Sequence, residues 1–121
     1  MNIWAKALSL HHKTKGMIVT FEKEYLQELY NTGKSKDKQH RFQPDIVKRY
    51  IDRINTLKNK KSVEALYNMK SLHYEVLKGD KAGISSIRVN DRYRIEFTVS
   101  NQEPETIVYI CNILELSNHY K

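Results

Sequence analysis

Arg88 and Arg94 stand close together in the stretch ISSIRVNDRYRIEFTV, residues 84–99. An arginine guanidinium offers a planar fork of donors that matches phosphate, so two of them on a rigid scaffold would form a preformed anion site. Other groups with chemical potential surround them in the chain. Lys78 and Lys81 sit in a glycine-bearing loop, Arg92 lies near the centre of the stretch, and the chain ends in His119-Tyr120-Lys121. Histidine ionises near neutrality and suits acid or base work. A tyrosine can stack on a nucleobase or supply a hydroxyl. Each group also has a plain reading. Strand arginines commonly solubilise an edge, loop lysines do the same, and a terminal tyrosine covers core surface. His11, His12, His40 and His73 show no ligand spacing, and no Walker A, GxGxxG, HExxH or CxxC pattern occurs. The single cysteine, Cys111, allows no internal disulfide and no thiolate cluster.

The elements that must position these groups are legible from periodicity. In the stretch 84–99, Ile87 and Val89, then Tyr93, Ile95, Phe97 and Val99, alternate with polar residues. Strand side chains point to opposite faces in turn, so one face of this hairpin is apolar and the other carries arginines. The turn falls at Asn90-Asp91. Upstream, Met17–Phe21 reads as a strand. Residues 22–32 read as a short helix with Tyr25, Leu26, Leu29 and Tyr30 on one stripe and Gly33 as its stop. A longer helix is expected from Pro44 to Leu57, with Ile46, Val47, Tyr50, Ile51, Ile54 and Leu57 on one face. Ser62 is placed to cap a further helical turn. Thr106–Leu114 is apolar and rich in β-branched residues, a strand buried on both faces or nearly so. The expected fold is α+β: a mostly antiparallel sheet of about four strands with an N-terminal helix pair packed on it, in the order β-α-α-β-β-β. Residues 17–121 read as one domain, and 1–16 as an N-terminal extension.

The chain has 121 residues and a net charge of +7. Residues 34–61 alone carry ten Lys or Arg against three Asp, equal to that whole excess. Such a local patch suits nucleic acid, an anionic surface or an acidic partner; a solvated helix face is the plainer account. Arg49 and Arg53 are its candidates for phosphate contact. No apolar run is long enough for a membrane span or a secretory leader, so a cytoplasmic protein is expected.

The segment LHYEVLKGDKAGISSIRVNDRYRIEF, followed by an apolar strand and a terminal NHYK, resembles the HigB branch of the RelE/ParE toxin superfamily. Members carry the form L-x-G-D-x-x-G-x-x-S-I-R-V-N-x-x-[YW]-R-I-x-F and often end in a D-Y-H-like tail. The resemblance covers residues 71–121 by motif and 17–121 by element order. It implies the RelE-like fold and the toxin of a type II toxin–antitoxin pair, partnered by a HigA-like helix-turn-helix antitoxin. It implies a ribosome-dependent endoribonuclease acting on mRNA, without metal or organic cofactor, through attack of the ribose 2′-hydroxyl on the adjacent phosphorus. ParE-like members instead inhibit DNA gyrase. That activity and a plain nucleic-acid or protein-binding module are the alternatives. The implied roles are phosphate stabilisation for Arg88 and Arg94, acid–base work for His119, base stacking for Tyr120 and phosphate contact for Lys78. The tail departs from the pattern: Asn118-His119-Tyr120 reverses histidine and tyrosine and lacks the carboxylate, leaving open which side chain faces the site.

Overall fold

A computed structural model describes residues 16–101 and 109–118. Along the chain lie β1 (Ile18–Phe21), α1 (Glu24–Thr32), α2 (Pro44–Asn59), α3 (Val63–Asn68), β2 (Glu75–Val76), β3 (Ser85–Arg88), β4 (Arg94–Asn101) and β5 (Tyr109–Ser117). The strands form one sheet in the order β1-β5-β4-β3-β2. β1 runs parallel to β5, and the other neighbours are antiparallel. The α+β architecture is the expected one. Its additional strand, β2, is two residues long, too short to leave an alternation in the sequence. Among the described residues no helix is long and apolar enough to cross a membrane.

The helices form where the apolar stripes place them, with small shifts that the sheet explains. α1 starts at Glu24 rather than residue 22, because the Glu22 amide donates to the Ile113 carbonyl at 2.8 Å and stays with the sheet. Gly33 ends it at φ 81°, its amide returning to the Leu29 carbonyl. Pro44 opens α2, where its missing N–H has no helical partner to lose. Ser62 accepts from the Ala65 amide at 3.3 Å and caps α3. A Cβ on Gly16 would sit 1.6 Å from the Lys58 carbonyl oxygen, so only glycine fits where the chain enters the fold beside the end of α2.

The core joins α1 and α2 to one face of the sheet. Tyr50, Ile54 and Leu57 of α2 and Leu26 of α1 are fully buried with Ile87, Ile95, Phe97, Cys111 and Ile113. The Tyr50 hydroxyl donates to the Leu26 carbonyl at 2.8 Å and ties the helices together.

The end of β5 departs most from expectation. The strand runs to Ser117 rather than stopping at Leu114, and residues 102–108, where its start was expected, lie outside the described residues. The register against β4 slips between Glu96 and Phe97: Phe97 pairs with Ile113 and Glu96 with Glu115, leaving Leu114 as the extra residue of a bulge. The bulge resets the alternation, so Leu116 enters the core at 3% exposure although Ile113 is already there at 0%. Strict alternation in ELS gives no hint of this. Nor is β5 sealed on both faces: Ile110, Asn112 and Leu114 are half-buried.

Burial raises three acidic groups of the core. It pushes Tyr25 and Cys111 each up to about 12 and Tyr50 higher still. Each is raised above its unfolded value, so its stabilising contribution is complete below the unfolded pKa and is lost as pH climbs toward the folded one. Denaturant midpoints should therefore hold up to about pH 9 and fall steadily between pH 9 and 12. A flat profile over that range would show that these groups titrate normally in the fold.

Candidate active site

The arginines lie on the sheet face opposite the helices, and the strand register arranges that face in two rows. One row is Arg88 on β3, Arg94 on β4 and Ser117 on β5. The next is Glu75 on β2, Ser86 on β3, Glu96 on β4 and Glu115 on β5. Rows two residues apart along a strand are separated by about 7 Å. A cationic row thus runs beside one rich in carboxylates.

The hairpin turn is longer than expected. Strand pairing ends at Arg88 and Arg94, and Val89–Tyr93 make the connection. The Asn90 side chain accepts from the amides of Arg92 and Tyr93 at 2.9 and 2.8 Å, so asparagine shapes the turn through its oxygen. Asp91, at the turn, forms an ion pair with Arg88. Arg92 is exposed.

The two arginines differ in setting. The Arg88 side chain is 37% exposed, and that of Arg94 only 11%. Arg94 Nε donates to Ser86 Oγ at 2.8 Å, and Nη2 donates to the carbonyls of His73 and, at 3.3 Å, Ser86. The Glu75 carboxylate lies 4.0 Å from the same nitrogen. Ser86 and Glu96 are buried at 0% and 4% exposure. The polar face is therefore no bare solvated surface. The connection between α3 and β3 reaches over it, contributing the His73 carbonyl, Glu75 and Lys81.

The remaining predicted residues fall into separate groups. Lys78 is exposed beside the glycine turn. Lys81 bonds Glu96 at 2.8 Å and clips its loop to the sheet. Arg53 donates from Nε to the Arg88 carbonyl at 2.8 Å and from Nη1 to Asp52 at 3.3 Å, bracing α2 against the end of β3. Arg49 is exposed on α2, one helical turn before Arg53. His119, Tyr120 and Lys121 lie outside the described residues; the described chain reaches exposed Asn118, one residue beyond Ser117 in the arginine row. Sequence reasoning missed Glu75, Ser86, Asp91 and Glu96. Only Glu75, three residues before Lys78, carried a usable signal, as a carboxylate just ahead of the loop. Among the described residues, no group of three or more His, Cys, Asp or Glu is placed to hold a metal ion.

Lys81 and Glu96 differ in exposure, at 42% and 5%, so their pairing is screened from one side only. Lys81→Met should lower stability by about 1–2 kcal/mol. In a Glu96→Gln background the same change should cost less than half as much. Thermal denaturation of the four proteins checks this, and equal costs in both backgrounds would rule out the coupling.

A family model described as the RelE-like toxin of the type II toxin–antitoxin system HigB matches residues 19–110. Among solved structures, the chain is similar to a YoeB/ParE toxin from Agrobacterium tumefaciens, at 18% identity and a TM-score of 0.49, over 86% of this chain and 100% of that one. It is also similar to the YoeB dimer from Staphylococcus aureus, at 19% identity and a TM-score of 0.45, over 86% and 98% of the two chains. No curated protein sequence matches. A type II toxin is paired with an antitoxin, which gives this chain a partner class. The match across residues 19–110 spans well over half of the sequence, and the protein belongs to the HigB-like family of RelE-like type II toxins.

Proposed function

We propose that the protein is a ribosome-dependent mRNA endoribonuclease that acts in the cytoplasm, needs no metal or organic cofactor and is neutralised by a HigA-like helix-turn-helix antitoxin. The observation that carries this reading is the row Arg88–Arg94–Ser117. It puts two arginines in register with Ser117, two residues ahead of the histidine of the tail.

Cleavage of this kind needs a base for the ribose 2′-hydroxyl, an acid for the departing 5′-oxygen and cations at the crowded phosphorane. The products are a cyclic phosphate and a 5′-hydroxyl. Arg94, already fixed by Ser86 and the His73 carbonyl, and Arg88, the more exposed, supply the cations. Glu75 is 54% exposed and 4.0 Å from the Arg94 guanidinium, which suits it to take the 2′-hydroxyl proton. His119 then returns a proton to the leaving oxygen, and Tyr120 stacks on the base. Lys78, Arg92 and Lys121 contact flanking phosphates. Lys81 and Arg53, whose cations are engaged inside the fold, hold the loop and the β3 end that frame the site.

The basic segment supplies docking. Lys34, Lys36, Lys38, Lys48, Arg49 and Lys58 are all exposed, as a surface for ribosomal RNA requires. Phosphate contacts there add affinity without reading sequence.

Arg88→Ala should lower the cleavage rate on programmed ribosomes by about 100-fold, and Glu75→Gln by about 100-fold or more, with ribosome binding little changed. Reversing Lys48 and Arg49 to Glu should do the opposite: weaken binding and flatten its salt dependence, leaving the rate at saturation near wild type. Mapping mRNA 5′ ends in arrested cells tests the activity itself. Codon-phased cuts support it, whereas intact mRNA with DNA damage would point to gyrase instead.

A further inference from the structure

His73 is the one non-glycine residue with positive φ among the described residues, at φ 48° and ψ 50°. A side chain in this left-handed region crowds its own backbone, which glycine avoids and asparagine, aspartate and histidine tolerate best. The neighbouring chain holds it there. Leu72 is fully buried and bonded to the Met69 carbonyl at 3.0 Å, the His73 amide closes the turn on the Lys70 carbonyl at 3.0 Å, and two residues later Glu75 is paired with Ser86 in the sheet.

This conformation turns the chain out of the Lys70–Leu72 helical turn and aims the His73 carbonyl at Arg94, where it accepts from Nη2. Ser86 Oγ and the Ser86 carbonyl are further neutral acceptors around the same guanidinium, and the Glu75 carboxylate stands off at 4.0 Å. A neutral acceptor fixes the orientation of an arginine without cancelling its charge, as a carboxylate at hydrogen-bonding distance would do. The imidazole is dispensable for this, since the main chain makes the contact.

We propose that His73 is a positioning residue for Arg94, acting through its main-chain carbonyl in a left-handed conformation rather than through its imidazole. The inference deepens the RNA-cleavage reading and rests on it for its effect on rate, while the orientation of Arg94 is measurable without any cleavage. His73→Asn and His73→Gly, which keep the left-handed backbone accessible, should cleave mRNA on purified programmed ribosomes within about twofold of wild type. His73→Val, β-branched and strongly disfavoured there, should lower kcat about tenfold with KM unchanged. Melting temperatures verify that each variant is folded, and where the Val variant is not, His73→Ala should show a smaller drop in the same direction. In parallel, NMR of the Arg94 side chain should show resolved, exchange-protected guanidinium signals in wild type and in the Asn and Gly variants. Those signals should collapse in the Val variant. A Val variant with wild-type kcat and guanidinium signals would overturn the proposal. So would Asn and Gly variants that both lose activity, which would assign the work to the imidazole. A wild-type protein that leaves mRNA intact would instead refute the cleavage reading, with the Arg94 signals still deciding the positioning role.

Discussion

Two arginines paired directly opposite one another, Arg88 on β3 and Arg94 on β4, are the constraint the polar sheet face is built to meet. Like charges facing each other across a strand pair destabilise a sheet. The surroundings offset this at both ends. Asp91 turns back from the hairpin to Arg88, while Ser86, the His73 carbonyl and the nearby Glu75 receive Arg94. The neighbouring row adds the carboxylates of Glu96 and Glu115, themselves paired with Lys81 and Lys23. Repulsion that would cost stability in a plain sheet is kept local, and the price is a connection draped over the sheet to supply acceptors.

The basic segment is less uniform than its charge suggests. Arg53 is spent on the Arg88 carbonyl, and Lys58 lies 4.4 Å over the Tyr30 ring while remaining open to solvent. The loop ahead of α2 is ordered by its own polar contacts. Glu28 accepts from the Lys36 amide at 3.3 Å, and His40 bonds Asp37 at 2.7 Å while stacking on Tyr25 with centroids 3.7 Å apart. The His40 contact holds the Asp37 carboxyl below its usual range. Tyr25 in turn accepts, at 3.4 Å, from the Leu116 amide beside the arginine row. The basic segment and the sheet face are thereby parts of one packed unit.

Much of this was legible in the chain. The stripes of α1 and α2, the proline and glycine that bound them, and the alternation of Ile87, Val89, Ile95 and Phe97 follow from helical and strand periods that act within a few residues. The motif around LKGD and SIRVN carried the family. Three features escaped for one reason, that they depend on partners distant in sequence. β2 exists because Ser85 and Ser86 accept it as a neighbour. The bulge at Leu114 exists because β4 sets the register of β5. The covering of the polar face depends on a connection whose composition reads as a solvated loop.

The sequence by itself determined which residues are apolar at which period, hence the helices, the central hairpin, the charge of 34–61 and the presence of paired arginines. Only the tertiary structure decided that those arginines are unequal, that Glu75 and the His73 carbonyl join them, and that Lys81 and Arg53 brace the fold. Local periodicity is written in side-chain type, whereas the environment of a charge is set by whatever the rest of the chain brings against it.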